Sequence, residues 1–223
     1  FIAELEAERV QELEAERVQE LEAYLKASGF DNYELSEEEE NAIKAVDTVK
    51  LGEYRLGTLF DIENTLSYNT DKLVDGAEYD YVTRTSANQG ISQTTGFVNE
   101  DNINASGIWS LGLLSMDFFY RCKPWYAGQF VRKIIPKISI SEKAAHFFST
   151  ILNRQKPILS SVLVRNVDET FRNISVRLPQ TADGSIDFNF METLISAIQK
   201  LVIKDVVKYA DSKIGATKEV ISK

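Results

Sequence analysis

Tyr79-Asp80-Tyr81-Val82-Thr83-Arg84-Thr85-Ser86-Ala87-Asn88-Gln89-Gly90-Ile91-Ser92-Gln93-Thr94-Thr95 contains two patterns. From Tyr79 to Thr85, aromatic and β-branched residues alternate with polar ones, which reads as a strand. Gln89 to Ser92, around Gly90, reads as a loop. Working outward, Glu53 to Ile62 alternates in the same way and breaks at polar residues 63–72. Trp109–Leu114, Phe118–Cys122 and Phe130–Ile135 read as further strands, with a turn at Lys123-Pro124. Short aromatic-rich strands separated by long polar loops argue for a compact curved sheet.

Helical character flanks this region. Ser36 with Glu39 is a capping-box spacing that opens a short helix, and Glu37 to Glu40 supply the negative first turn that a helix N-terminus favours. Residues 141–155 read as a helix, and 154–164 continue the helical character, with Pro157 placed to begin a segment. Ile174–Pro179 is extended and Ala182–Ser185 is a turn. Asn189 with Glu192 resembles another capping box. The stripe Met191, Leu194, Ile195, Ile198, Leu201, Val202 and Val206 then extends a helix to about Lys213. The fold class expected is α+β: a curved sheet flanked by N-terminal and C-terminal helices.

The N-terminus is repetitive. Glu4-Leu5-Glu6-Ala7-Glu8-Arg9-Val10-Gln11 recurs at 12–19 and begins again at Glu20. Strong helix formers without Pro or Gly before Gly29 predict a helix over residues 2–28, roughly 40 Å long at about 1.5 Å per residue. Eight residues overshoot two turns by about 80°, so the apolar stripe drifts and holds no heptad seam. The repeat therefore suits a spacer whose copy number can change. The domains expected are 1–50, a helical spacer; 51–180, a sheet domain; and 181–223, a C-terminal helix.

The 223 residues, 43% hydrophobic with 11 Gly and 4 Pro, exclude collagen and wholesale disorder. One cysteine excludes an internal disulfide framework and suits a reducing cytoplasm. No apolar run of 18 residues suggests a membrane span. With no initiator methionine, the sequence reads as a fragment or an engineered chain. No HExxH, paired CxxC, GxGxxG or GxxxxGKS is present. His146, beside Ala145 and Phe147, is expected as a core or interfacial histidine, and Cys122 as a buried structural thiol. No catalytic residue, metal site or cofactor is expected.

The formal charge of −9 is unevenly spread. Residues 1–50 hold 15 acids and 5 bases, whereas residues 110–180 hold 4 acids and 11 bases. A basic zone within an acidic chain can bind a polyanion or lie as solvated surface. The donor-rich stretch 83–95 offers the side chains that read base edges: Arg for guanine, Asn and Gln for adenine, Ser and Thr for bases or phosphates. The base-reading candidates are Thr83, Arg84, Thr85, Ser86, Asn88, Gln89, Ser92 and Gln93. The backbone-contact candidates are Arg121, Lys123, Tyr126, Gln129, Arg132, Lys133 and Lys156. The rival reading is a helical protein-interaction module whose basic zone meets an acidic protein.

Three stretches, in order, carry a family resemblance. Tyr54 to Ile62 stands where the target recognition domains of type I restriction–modification specificity subunits open on a Leu-Gly-Asp-x-Phe-like element, with Thr58 where the family often has Asp. Tyr81 to Ile91 matches a Tyr-Val-Thr-Arg-Thr-Ser-x-Asn-x-Gly-Ile strand, and Phe119 to Val131 a Phe-Tyr-x-x-x-Pro-Phe-Tyr-x-Gly-x-x-Val run. Residues 174–179 and 184–192 resemble the family's exit into its conserved helix. The likeness covers about residues 50–212 and is closest to the version fused behind type IIG restriction–modification enzymes. It implies a cytoplasmic prokaryotic domain that docks on double-stranded DNA and reads a few base pairs. Helices would hold it at a fixed distance from a methyltransferase or endonuclease module, fused or separate, and the octad repeat would act as a ruler. A homodimer through the helices is left open.

Overall fold

The computed structural model describes residues 9, 12, 13, 16, 19, 20, 23–27 and 33–221, with side chains to residue 209. Most of the octad repeat lies outside the described residues; those described there are helical. The chain forms two compact units, residues 1–48 with 193–223, and residues 49–192.

In the first unit, helix α1 (Glu37–Ala45) starts as expected. Ser36 Oγ accepts from Glu39 N at 3.2 Å, and Ser36 N donates to Glu39 Oε2 at 2.8 Å. The same carboxylate oxygen takes Lys200 Nζ at 2.8 Å, and Lys200 also donates to Glu34 O. Burial acts to raise the Glu39 carboxyl. Lys200, the Ser36 amide and the Ser196 hydroxyl outweigh it and hold its pKa below the usual glutamate value.

The second unit carries the sheets. Strand β1 (Leu51–Arg55) leads into a helical turn, α2 (Leu56–Leu59), and then β2 (Phe60–Asn64). The expected single alternation over 53–62 is therefore broken. Leu56 and Leu59 both enter the core, and a spacing of three brings two side chains to one face only if the backbone coils. Gly57 permits the turn to press on its neighbour: a Cβ there would lie 2.8 Å from Arg172 O. Then follow β3 (Tyr79–Val82), β4 (Ile91–Thr95), β5 (Ile108–Gly112), β6 (Phe118–Arg121), β7 (Trp125–Ala127) and β8 (Val131–Pro136). Ile91 and Ser92, expected in a loop, begin β4, and β7 has no counterpart among the expected strands. Helices α3 (Glu142–Asn153), α4 (Lys156–Ser160) and α5 (Val167–Asn173) precede β9 (Ser175–Pro179), and α6 runs Phe188–Ile221.

Strands β2-β8-β5-β6 make an antiparallel sheet, and β1 pairs with β9. The third sheet, β4-β3-β7, joins β3 to β4 antiparallel but β3 to β7 parallel, with Tyr81 opposite Tyr126. The main core lies on the helical side of the four-stranded sheet. There Phe60 meets Trp109 and Phe148 edge to face, with centroids 5.5 and 5.7 Å apart. Each such fully buried side chain is worth roughly 1.5–3 kcal/mol. Trp109 Nε1 donates to Ser149 Oγ at 2.8 Å, so its one polar atom is satisfied. A second cluster, Val82, Ile108, Trp125, Ala127 and Val131, joins the four-stranded sheet to the smaller one.

The sheet unit ends at 192, not 180. Asp187 N donates to Pro179 O, and Met191 is fully buried in the main core. The helix cap also moves: Asp187 Oδ1 accepts from Phe190 N at 2.9 Å, the role expected of Asn189. His146 is exposed on α3, so it is not a core histidine, and Cys122 is exposed beside Glu142 and is not the buried thiol expected. No helix among the described residues is long and apolar enough to cross a membrane.

Candidate nucleic-acid interface

The parallel pairing of β3 with β7 sends both strands out at one end. Their continuations, 83–90 and 128–130, emerge side by side, tied by Gly128 N to Val82 O at 2.8 Å. The β5–β6 hairpin tip joins them through Leu113 N to Phe130 O at 2.9 Å. Between them opens a cleft of about 460 Å³ lined by Tyr81, Thr83, Arg84, Thr85, Leu114, Gly128 and Gln129. Gly128 keeps the floor clear, since a Cβ there would sit 3.0 Å from Tyr81 Oη.

Arg84 is exposed and makes no ion pair among the described residues. Its guanidinium lies over the Phe130 ring, 5.2 Å from the centroid. Ala87 N donates to Thr85 Oγ1, Asn88 Nδ2 to Ile91 O, and Thr83 N to Gly90 O. Asn88 and Gln89 both take left-handed backbone, φ 46° and 53°, and Gly90 follows at 80°. This coil turns the side chains of Ser86, Asn88 and Gln89 to solvent. Ser92 and Gln93, exposed neighbours on β4, point to opposite faces of their sheet, so only one of them can share a surface with the loop.

The clamp on this loop is Arg121, and here an expectation is corrected. Its side chain is 2% exposed, with Nη2 donating to Gln89 O at 2.6 Å and Nε and Nη2 to Ser110 Oγ. Burial lowers its pKa to about 10, opposed by Asp80, so it stays a cation at neutral pH. It organises the loop from within, and its donors are committed inside. Tyr126 is likewise buried: its hydroxyl accepts from Val98 N and Asn99 N and donates to Asn99 O.

The four remaining backbone-contact candidates that carry charge are paired. Lys123 meets Asp80 at 2.8 Å, Arg132 meets Asp168 at 3.0 Å, Lys133 meets Glu63 at 3.1 Å and Lys156 meets Asp117 at 2.6 Å. Arg132 and Lys133 are adjacent on β8 and therefore face opposite sides of the sheet. Lys156 alone of these stands next to the loop. Burial works to raise the Asp117 carboxyl, but Lys156 and the hydroxyls of Ser86 and Ser115 hold it below the usual carboxylate value. Thus Arg84, Thr83, Thr85, Ser86, Gln129 and Lys156 are brought together; Arg121, Tyr126, Arg132, Lys133 and Lys123 are not. Leu114, Asp117 and Phe130 complete the surface and were not anticipated. The signal available in the sequence was Gly128 at the end of an aromatic run.

A surface of amides, hydroxyls and a guanidinium that makes no ion pair among the described residues, carried on a sheet frame, is of the kind that a binding domain presents. The family model described as the type I restriction modification DNA specificity domain matches residues 48–209, and the chain belongs to that family. DNA sequence recognition is the role of this family, which is the non-catalytic component of its systems. No curated protein sequence matches the chain. Among solved structures it is similar to a type I restriction-modification S subunit from M. genitalium (13% identity, 96% of this chain and 57% of that one, TM-score 0.49). It is also similar to an HsdS subunit from Thermoanaerobacter tengcongensis (14%, 95% and 51%, 0.48). A third similar chain comes from a structure describing complex assembly and conformational transition of the type I R-M system (13%, 98% and 55%, 0.50). The chain spans little more than half the length of these relatives.

Proposed function

We propose that this chain reads duplex DNA through the surface built from residues 83–90, 113–117 and 128–130. The observation that carries the reading is Arg84: a guanidinium without an acidic partner among the described residues, held on the Phe130 ring at the mouth of a cleft lined by hydroxyls and Gln129. A fixed, unpaired fork is what bidentate contact to guanine needs. Thr83, Thr85, Ser86 and Gln129 supply the neighbouring donors and acceptors. Lys156 is the phosphate contact nearest the surface, because its pair with Asp117 is partly exposed and can be re-partnered. The helices carry the domain to a methyltransferase or endonuclease module in a prokaryotic cytoplasm, and a second copy pairs through them. The rival, an acidic protein on a basic face, does not account for the cleft of hydroxyls and Gln129 beside Arg84.

The test is selection of a target from random duplexes, followed by titration with Arg84→Ala. Loss of one bidentate contact should weaken target binding by about 10- to 100-fold and relax discrimination at one base pair. Unchanged affinity and unchanged sequence preference would overturn the assignment of Arg84.

A further inference from the structure

The recognition surface has an apolar edge that its hydrogen-bonding groups do not explain. Leu114, at the tip of the β5–β6 hairpin, is 75% exposed, and Phe130 is 53% exposed. Both are held firmly. The residue before Leu114 is buried and donates to Phe130 O, and Met116, two residues after it, is buried with left-handed backbone at φ 54°. Phe130 is itself left-handed at φ 61°, which is uncommon for a bulky residue and persists only where the surroundings fix it. Two large apolar side chains thus stand in solvent on a constrained frame beside Arg84 and the cleft.

We infer that Leu114 and Phe130 read thymine, by packing on its C5-methyl group in the major groove. This rests on the reading that the surface meets duplex DNA. The methyl is the one apolar handle that a base edge offers, and only the major groove displays it. The alternative, a wedge driven between base pairs, suits the geometry less well. One face of the Phe130 ring is covered by the Arg84 guanidinium, and a ring wedged between two base pairs must present both faces, whereas its free edge and remaining face can still pack on a methyl group. The adjoining Thr83, Thr85 and Gln129 are groups for base edges, which a groove supplies and an unstacked step does not. An arginine and an apolar ring held together are suited to a guanine next to a thymine.

The experiment uses the full chain and its selected target duplex, synthesised once with thymine and once with uracil at every thymine position. Uracil removes only the methyl. Wild type should bind the thymine duplex roughly fourfold more tightly per contacted methyl. Leu114→Ala and Phe130→Ala should each weaken thymine binding and shrink the thymine-to-uracil ratio. Leu114→Ala keeps the test sound if the altered backbone at 130 disturbs folding, because a side chain so exposed contributes little to the core. A ratio near one in wild type, a ratio unchanged in both variants, or a selected target without an A·T pair overturns the inference while leaving the DNA-reading surface standing. Failure to select any sequence removes the surface assignment itself, and the inference with it.

Discussion

Arg121 shows how a residue's type and its work can part company. In the sequence it is one base among eleven in a cationic stretch, and phosphate contact is the natural reading. Folded, it lies on β6 beside Ser110 of β5, and its guanidinium bridges the four-stranded sheet to the carbonyl of Gln89. Tyr126 follows the same logic, its hydroxyl capping two backbone amides. Neither role was legible, because both partners are main-chain groups or a serine whose position depends on pairing across the sheets. Arg121→Leu should leave Gln89 O and Ser110 Oγ without their donor, at a cost of about 1–3 kcal/mol. It should also raise amide hydrogen exchange across Thr83–Gly90 relative to the β5–β8 ladder. Exchange in the loop equal to wild type would mean that the left-handed turn at Asn88–Gln89 holds itself.

Elements defined by short-range chemistry were readable. The Ser36–Glu39 capping box is a local device, and both of its hydrogen bonds are present. The cap of α6 was misplaced by two residues: Asn189 and Asp187 both have suitable chemistry, and the pairing of Asp187 N with Pro179 O decides between them. Strand β7 was hidden because three buried residues show no alternation. One prediction belongs at this scale. Glu39 closes the cap and receives Lys200 with the same oxygen, so its ionised form links two helices of one unit. Because its folded pKa lies below the usual value of 4.5, its contribution is complete above that value and disappears as pH falls through the lower folded value. Glu39→Gln should cost about 1–2 kcal/mol at pH 7, since Lys200 keeps some solvent contact and the ion pair is partly screened. The difference between variant and wild type in urea midpoint should close as the pH is lowered towards 3. A gap that persists at low pH would point to packing instead.

At the scale of the sheet unit, the basic zone of the sequence does not become an uninterrupted cationic surface. Three of the basic-zone lysines are answered by acids from residues 61–80: Lys123 by Asp80, Lys133 by Glu63 and Lys137 by Asp61. Counting residues could not reveal this, because antiparallel pairing of β2 with β8 sets Glu63 directly opposite Lys133. The α+β class and the family resemblance were legible because they rest on strand patterns and ordered motifs. The extent of free cationic surface was not. Of the eleven bases in residues 110–180, Arg121 is buried and Lys123, Arg132, Lys133, Lys137 and Lys156 are ion-paired, so a polyanion meets fewer unencumbered positive groups on this domain than the sequence count implies. A plot of log affinity against log salt for target DNA should slope by about −2 to −4, far from the value of about −10 that eleven free bases would give. A slope near the larger figure would show that the ion pairs open on binding.

The co-directional run of β3 and β7 has a consequence for how such a domain can change its preference. Both strands release their chain at the same margin, so the tips that follow them are neighbours without being part of either ladder. Exposed side chains there, such as Arg84, Ser86, Leu114 and Gln129, can be exchanged without touching the core, whereas Gly90, Gly128 and Phe130 fix the backbone of the tips. On the proposed reading, exchanging the exposed side chains of these two short segments together would change the sequence that is read and leave the sheets as they are.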